Sequence, residues 1–323
     1  MPDDLRTVLE ASAREQLAPD AEVTDLAPLG GGASRELWAF TVAAGGTTRE
    51  LVLRRDPAGV GGPEGRAREL AAMRAAVAAG VPAPAPLWVL DGGEGGFVMP
   101  RLPGEASPRR LLRDEAHAAA RARLLPDLAR AAAGIHAAPI AGVPALASPA
   151  GPPAEAAVAG LEAELDRIGE PHPALEVGLR WLRANLPAPR PPALVHGDFR
   201  LGNVLAGDRG LVAVLDWELA HAGDPAEDLG WLCVRAWRFG ADDRPAAGLG
   251  TRDELLTAYA AAGGAAITRE DLRFWEAYGT ARWGVICLVQ ADVHLSGAQR
   301  SLERAAIGRR TCEPEWDLLA MVD

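Results

Sequence analysis

Three polar residues in the second half of the chain stand at a spacing that suits metal-assisted chemistry. Asp198 comes two residues after His196, Asn203 follows five residues later, and Asp216 lies thirteen residues beyond that. An acid on a loop can accept a hydrogen bond, and later a proton, from a substrate hydroxyl. An amide oxygen and a second carboxylate are hard oxygen ligands of the kind Mg²⁺ takes beside nucleotide phosphates. The set predicts phosphoryl transfer from a magnesium-bound nucleotide, with Asp198 as base and Asn203 and Asp216 as metal ligands.

Short apolar stretches around these residues predict a β-hairpin that would hold them together. Residues 194–195 are typical of the end of a strand, and residues 206–210 have the Gly and Asp of a tight turn. A return strand over 211–215 would bring Asp216 back beside Asn203. Each residue alone would be an ordinary turn or capping residue, but the spaced set in a strand–loop–strand context favours catalysis.

The pattern H-G-D-x-x-x-x-N over residues 196–203, followed by an Asp on the next strand, resembles the aminoglycoside phosphotransferase-like family, a branch of the protein-kinase-like fold. The likeness is greatest to the phosphotransferase domains found fused to some acyl-CoA dehydrogenases. Four further segments carry it: 215–221, 223–231, 308–310 and 315–319. The similarity runs from about Leu29 to the C-terminus. It implies an α+β bilobal fold, ATP (or GTP) as phosphoryl donor, Mg²⁺ as cofactor and a small hydroxylated molecule as acceptor.

The distribution of strands and helices predicts two lobes that meet near Pro100. Five strands are expected before that point: 23–29, 36–42, 51–55, 87–90 and 97–99. Helices are expected over 4–17, 66–79, 117–137, 154–168, 175–185, 225–239, 252–262 and 269–295. We therefore assign residues 1–100 to a β-rich nucleotide-binding N-lobe and residues 101–323 to a helical C-lobe with the catalytic hairpin and the acceptor site.

A run of glycines between the first two predicted strands is a candidate phosphate cover. Gly30, Gly31 and Gly32 would let backbone N–H groups approach phosphates closely, and Ser34 could add a hydroxyl contact. The run is not G-x-G-x-x-G, and a triple glycine between strands is often only a turn. Its position beside the catalytic hairpin favours the phosphate cover.

The protein-kinase pattern requires a Lys on the third strand, paired with a Glu on the following helix, but this chain contains no Lys. Arg54 stands in that place on its strand, with Glu69 on the next helix as its expected partner. An Arg can hold phosphate and carboxylate together, although its reach differs from that of Lys. The alternative is an unrelated surface ion pair.

Backbone groups near the lobe boundary are expected to meet the adenine. Pro100 has no N–H, so Met99 or Arg101 would have to supply the donor. In the family, the Asp that matches Asp228 steadies the catalytic loop, and we expect His196 to brace the same loop rather than exchange protons.

The amino-acid composition narrows the classes of partner that the chain is expected to bind. The chain has 33 basic and 44 acidic residues, a formal charge of −11, with no basic block. This balance argues against a nucleic-acid or anionic-membrane partner. The three cysteines are widely spaced without a metal-type pairing, which suggests free thiols in a cytoplasmic protein. The oligomeric state stays open.

Three functions remain open at this point. The first is an ATP-dependent kinase whose acceptor is a hydroxyacyl-CoA or a related metabolite. The second is an antibiotic-resistance kinase, which acidic residues lining the acceptor pocket would favour. The third is a nucleotide-binding pseudoenzyme that regulates a partner; the absent Lys favours it, and the complete set of Asp198, Asn203 and Asp216 opposes it.

Overall fold

The computed structural model describes residues 2–30, 35–56, 62–90, 95–141, 143–146 and 151–322. Its first part is a five-stranded antiparallel sheet with the order β1-β2-β3-β5-β4. The strands are β1 (Glu22–Leu29), β2 (Glu36–Ala44), β3 (Thr47–Arg55), β4 (Trp88–Leu90) and β5 (Gly96–Pro100). Helix α1 (Pro2–Gln16) precedes the sheet, and α2 (Gly62–Ala78) lies between β3 and β4.

The alternation of side chains along β3 and β5 gives the sheet two faces with different roles. Leu53 and Val98 pack with Leu9 of α1 in an apolar cluster on one face. Phe97, on the other face, packs with Leu70 and other α2 residues in a cluster that continues into the helical part. The second face therefore looks toward the catalytic hairpin.

Helices dominate the rest of the molecule. They are α3 (Pro108–Arg113), α4 (Ala118–Ala137), α5 (Pro153–Ile168), α6 (Pro173–Ala184), α7 (Ala226–Cys233), α8 (Arg252–Ala261), α9 (Arg269–Leu295), α10 (Leu302–Gly308) and α11 (Cys312–Val322). The long α9 begins with a capping box, in which Thr268 and Asp271 satisfy each other's backbone N–H groups. Most of α9 is buried, because α5, α6, α7 and α11 pack around it.

Two short sheets interrupt the helices and carry the candidate catalytic loop. One pairs β6 (Ala193–Val195) with β9 (His221–Gly223), and the other pairs β7 (Val204–Gly207) with β8 (Gly210–Val214). The predicted α+β class, with a β-rich first part and a helical second part, is confirmed. The division at residue 100 stays a prediction, although β5 ends there.

The structure differs from the expectation around α7. The predicted helix 225–239 ends at Cys233, and a 3-10 turn over Arg235–Trp237 follows it. The side chain of Arg238 folds back and donates to the Cys233 carbonyl through Nε at 3.1 Å and Nη2 at 2.8 Å, which replaces the next turn of helix. Helices α3, α10 and α11 and strand β9 were not expected from the sequence. No helix in the described ranges is both long and apolar enough to cross a membrane.

Candidate active site

The loop after β6 is held in place by a buried histidine. His196 is 0 % exposed, and its Nδ1 accepts the Asp198 N–H at 3.2 Å while Nε2 lies 2.9 Å from the Leu215 carbonyl. Burial lowers the pKa of His196, more strongly than the nearby carboxylates raise it. A neutral ring with its proton on Nε2 satisfies both contacts. His196 thus ties the loop to the end of β8 and carries no free proton donor for a substrate.

Asp228, at the start of α7, holds the same loop from behind. It is 0 % exposed, and its two carboxylate oxygens accept the backbone N–H groups of His196 at 2.8 Å and Gly197 at 3.0 Å. His136 adds a contact at 3.1 Å and in turn meets the Tyr259 hydroxyl at 2.7 Å. Burial works to raise the pKa of Asp228, but the bonds from His136 and the backbone outweigh it and hold that pKa below its usual value. The turn before β7 is therefore fixed by an ionised carboxylate.

Three side chains donate to the Asp198 carboxylate. Arg200 Nε lies 2.9 and 3.1 Å from its two oxygens, and Trp231 Nε1 lies 2.7 Å from Oδ1. Asn203 Nδ2 lies 2.5 Å from Oδ2 and 3.0 Å from the Asp198 carbonyl. The carboxylate has one fixed orientation at the edge of the cleft, with its side chain 15 % exposed.

Asn203 and Asp216 are brought together by the β7–β8 hairpin. Val204 and Val214 are paired, and the Leu215 N–H donates to the Asn203 carbonyl at 2.8 Å, so the residues flanking the hairpin stay side by side. The amide nitrogen of Asn203 donates to Asp198, and its amide oxygen accepts no hydrogen bond from the described residues. The hairpin thus brings the two residues that the sequence predicts as metal ligands to neighbouring strand ends.

Asp216 combines an unusual backbone with an acidic neighbourhood. Its φ is +61°, in the left-handed region that non-glycine residues rarely adopt. Asp216 is an exposed residue. Partial desolvation first, and then the charges of Glu218 and Asp198, raise the pKa of its carboxyl to about 6. Asp216 therefore lies in a pocket of surplus negative charge that a divalent cation would offset.

Arg54 lies on β3 between two carboxylates. Its Nη1 contacts Asp56 and its Nη2 contacts Glu69 on α2, all three side chains being almost fully buried. Arg66 also contacts Asp56 at 2.7 Å. Burial raises the pKa of Glu69 to about 7, and the Arg54 charge offsets only part of that rise. The expected partner of Arg54 is in place, and Asp56 is a second one that the sequence did not indicate.

An arginine that follows the glycine run joins the two parts of the molecule. Arg35 Nε lies 3.2 Å from Glu218, two residues after Asp216, and 3.4 Å from Asp56 at the end of β3. The side chains of Arg35 and Glu218 are 15 % and 19 % exposed. These two ion pairs link the five-stranded sheet to the candidate catalytic hairpin across the cleft between them.

The structure describes only part of the glycine run that was predicted to cover the phosphates, and it shows the backbone of Arg101, which was predicted to meet the adenine. Gly31, Gly32 and Ser34 lie outside the described residues, and Gly30 forms a bend after β1. The Arg101 N–H donates to the Glu50 carbonyl at 3.0 Å, so the sheet already uses it.

Met99 has the same orientation as Arg101, because it pairs with Val52 of β3. Successive residues of a strand direct their backbone groups to opposite sides. The backbone groups turned away from β3 are therefore the Pro100 carbonyl and the Leu102 N–H.

The comparison with protein families decides the class. The model of the phosphotransferase enzyme family matches residues 25–266. The chain belongs to this family. The predicted resemblance and the assignment as a phosphotransferase are confirmed.

Curated relatives of this phosphotransferase match it over a short segment. Acyl-CoA dehydrogenase family member 10 of Mus musculus is 44 % identical over 64 residues, which is 19 % of this chain and 6 % of that protein. Acyl-CoA dehydrogenase family member 11 of Homo sapiens is 43 % identical over 60 residues, 18 % of this chain and 8 % of that protein. The match thus spans less than a tenth of the length of either relative.

Solved structures share the fold over nearly the whole length of this phosphotransferase. A candidate aminoglycoside phosphotransferase from Ralstonia eutropha JMP134 has a TM-score of 0.74 at 20 % identity, covering 97 % of both chains. A mutant of aminoglycoside phosphotransferase APH(4)-Ia, in a ternary complex with ADP and hygromycin B, has a TM-score of 0.66 at 19 % identity, again covering 97 % of both chains. Macrolide 2′-phosphotransferase MphH from Brachybacterium faecium has a TM-score of 0.64 at 23 % identity and covers 97 % of this chain and 98 % of that chain. The bilobal kinase-like fold is confirmed.

Sequence reasoning missed two residues that contact Asp198 in this phosphotransferase. Arg200 stands two positions after it, in a chain whose strong cations are all arginines, and that proximity was a usable signal. Trp231 lies three positions after Asp228 on α7, so the helical period places both on the side that faces the loop.

Proposed function

We propose that this phosphotransferase moves the γ-phosphoryl group of ATP to the hydroxyl of a small-molecule acceptor. The observation that carries the proposal is the convergence of Asp198, Asn203 and Asp216 at one end of the β7–β8 hairpin. The class is settled by family membership; the donor, the acceptor and the roles of the residues are what we propose. GTP remains an alternative donor.

Asp198 is the residue that we assign to the acceptor. Its carboxylate accepts a hydrogen bond from the acceptor hydroxyl, whose oxygen attacks the γ-phosphorus. The new O–P bond forms as the bond from the γ-phosphorus to the bridging oxygen of ADP breaks, and the hydroxyl proton passes to Asp198. The donors from Arg200, Trp231 and Asn203 keep the carboxylate oriented for this contact. Catalysis then rests on positioning and charge neutralisation, without a covalent intermediate on the enzyme.

The residues on the hairpin suit Mg²⁺. The free amide oxygen of Asn203 and the carboxylate of Asp216 supply two hard ligands, and the surplus negative charge around Asp216 is an environment that a divalent cation stabilises. Within the described ranges no group of three or more His, Cys, Asp or Glu side chains is placed to hold a metal. Two protein ligands leave coordination positions for water and phosphate oxygens, as Mg²⁺ prefers. When bound, Mg²⁺ would neutralise charge on the phosphates.

The nucleotide contacts come from the sheet and the lobe boundary. We assign phosphate binding to Arg54, held by Glu69, and to the glycine run that starts at Gly30. For the adenine we now assign the Pro100 carbonyl and the Leu102 N–H in place of Met99 and Arg101, because β3 already uses the backbone of the latter pair.

The side chains on the outer side of Asp198 favour a neutral or anionic acceptor, such as a hydroxyacyl-CoA, over a polycationic antibiotic. Trp231 contacts the carboxylate directly, and the Arg282 guanidinium lies 4.7 Å from the Trp231 ring centroid. Arg200 lies at the same distance from Trp237. Both arginines also contact a carboxylate, Arg200 that of Asp198 and Arg282 that of Glu227 at 3.6 Å, so they offset negative charge that would otherwise attract an aminoglycoside. The similarity to acyl-CoA dehydrogenase family members supports the acyl acceptor, and the fold shared with an enzyme bound to hygromycin B supports the antibiotic alternative.

Turnover measurements test this function. Purified protein with Mg²⁺ and ATP is offered hydroxyacyl-CoA esters and hydroxylated antibiotics, and ADP release is measured together with the mass of the product. We expect a phosphorylated acyl ester. Phosphorylation of antibiotics alone would favour the resistance kinase, and ATP binding without a product across the whole panel would favour the pseudoenzyme.

The first prediction concerns Asp198→Asn. The amide cannot take the hydroxyl proton, so we expect kcat to fall by about two to four orders of magnitude while the Kd for ATP changes little. Asp208→Asn, in the exposed turn of the same hairpin, is the control and should turn over normally. Wild-type rates in Asp198→Asn would refute the assignment of the base.

A further inference from the structure

The Arg200 side chain contacts the carboxylate that we assign as the base. Its Nε donates to both oxygens of Asp198, at 2.9 and 3.1 Å. In the proposed reaction the γ-phosphoryl group moves to an acceptor hydroxyl held by Asp198, so the Arg200 guanidinium lies beside the path of transfer.

The guanidinium still has hydrogen-bonding capacity in this position. Its hydrogen bonds to other described residues go through Nε alone, which leaves the Nη1 and Nη2 amino groups for another partner. The side chain is 24 % exposed. A guanidinium fork that binds a carboxylate on one edge can bind phosphoryl oxygens on the other.

Two neighbours fix Arg200 in this orientation. The guanidinium carbon lies 4.7 Å from the centroid of the Trp237 ring, a stacking distance that supports a cation–π interaction. A Cβ at position 202 would collide with Arg200 Nη1, so Gly202 supplies the space into which the side chain folds back. The Trp237 ring supports the Arg200 side chain on one side, and the absence of a side chain at Gly202 leaves room for it on the other.

The cation of the sheet is bound differently. Arg54 is 4 % exposed, and both of its Nη groups contact carboxylates, Asp56 and Glu69. Its charge is therefore largely compensated before any nucleotide arrives. A transferring phosphoryl group carries negative charge on three oxygens, and an arginine that contacts it directly commonly contributes a factor of about 10³–10⁵ in rate.

We propose that Arg200 is a catalytic residue that orients Asp198 through Nε and binds the oxygens of the transferring phosphoryl group through its Nη groups. The inference rests on the proposed kinase function. It adds a contact that exists only while the phosphoryl group is between donor and acceptor, so its effect falls on kcat and on transition-state mimics rather than on ADP binding.

Titration with two nucleotide probes tests the role. Wild type, Arg200→Gln and Arg200→Lys are titrated with Mg·ADP and with Mg·ADP–aluminium fluoride, which mimics the transferring phosphoryl group. We expect wild type to bind the fluoride complex at least tenfold more tightly than ADP. Arg200→Gln should lose that preference while its Kd for ADP stays within about twofold of wild type, and Arg200→Lys should keep part of it.

The control and the opposing outcomes keep the assignments separate. Arg209→Gln removes an exposed arginine from the turn of the same hairpin and should behave as wild type. An Arg200→Gln variant that keeps the full preference for the fluoride complex would overturn the catalytic role. Equal loss of both ligands, with a lowered Tm, would instead show that Arg200 only supports the loop. Wild-type protein that binds neither nucleotide would contradict the proposed kinase function, and the Arg200 role would fall with it.

Discussion

Two backbone positions with positive φ frame the candidate site at the residue scale. Gly197 has a φ of +79° directly before Asp198, the proposed base, and Asp216, a proposed metal ligand, has a φ of +61°. A left-handed conformation costs a non-glycine residue about 1–2 kcal/mol. Asp216 is kept there although the conformation disfavours it, which is the pattern expected where function fixes the backbone.

Gly197→Ala is the prediction at this scale. A Cβ there would collide with the Leu219 carbonyl oxygen in addition to straining the backbone. We expect a loss of about 2–4 kcal/mol in the free energy of unfolding, together with a large fall in kcat because the base is displaced. Urea denaturation and turnover measurements check both. Gly46→Ala is the matched control, since φ is +75° at Gly46 but a Cβ added there would meet no atom of the described residues within 4 Å. Equal losses in the two variants would show that the collision at 197 is relieved without cost.

At the scale of elements, helix α7 is what positions the catalytic loop. Asp228 in its first turn binds the loop backbone, and Trp231 one turn later binds the Asp198 side chain. The helix is only eight residues long and is buried throughout, because it packs against α9. Its placement therefore depends on tertiary contacts more than on helix propensity.

Asp228→Ala should lower both stability and activity. It leaves the N–H groups of His196 and Gly197 and the His136 ring without their acceptor in a fully buried place. We expect a loss of about 3–5 kcal/mol in the free energy of unfolding, measured by urea denaturation. The control is Asp242→Ala, which removes a half-exposed acid paired with Arg235 and should cost about 1 kcal/mol or less. An Asp228→Ala variant as stable as this control would contradict the role of α7.

The sequence predicted the elements whose signals are local. Short apolar stretches located all five strands of the first sheet, and α9 was predicted with the bounds that the structure gives it, residues 269–295. The end of α7 was missed because side-chain contacts decide it: the Arg238 side chain takes the place of the next helical turn, and it is held there by Glu276, 38 residues away in sequence, at 2.9 Å.

The same distinction between local and long-range sequence signals applies to the candidate site. The spacing of Asp198, Asn203 and Asp216 was readable because one hairpin joins them. Trp231, which lies 33 residues from Asp198 in sequence, could be placed beside it only by the fold. Asp56 was missed for a different reason. A single acidic residue after a strand carries no sequence signal that would identify it as a second partner of Arg54.

At the scale of the whole molecule, pH acts through an ion pair near the catalytic loop. His221 at the start of β9 lies 3.2 Å from Glu227 of α7. Burial works against protonation of His221, but the charge and the hydrogen bond of Glu227 outweigh it and raise the pKa of His221 to about 9. A histidine whose pKa is higher in the folded state stabilises the fold fully below its unfolded pKa of 6.5, and this contribution disappears as pH rises toward 9.

The pair gives a pH-dependent prediction. The difference in Tm between wild type and His221→Gln should be largest near pH 6 and should shrink as the pH approaches 9.5. Thermal unfolding at several pH values measures it, with His172→Gln as a control at a partly exposed histidine that contacts Glu315. A difference that stays constant over this range would contradict the raised pKa of His221.

The presence of Arg54 between Asp56 and Glu69 also determines which chemical probes can label this protein. Chemical surveys that capture nucleotide-binding enzymes with acyl-phosphate probes depend on acylation of a lysine amine beside the bound phosphates. Arg54 stands at the position that we propose for this phosphate contact, and the chain contains no lysine side chain at all. A probe of this kind finds no lysine amine to acylate in this chain, so such surveys would overlook it.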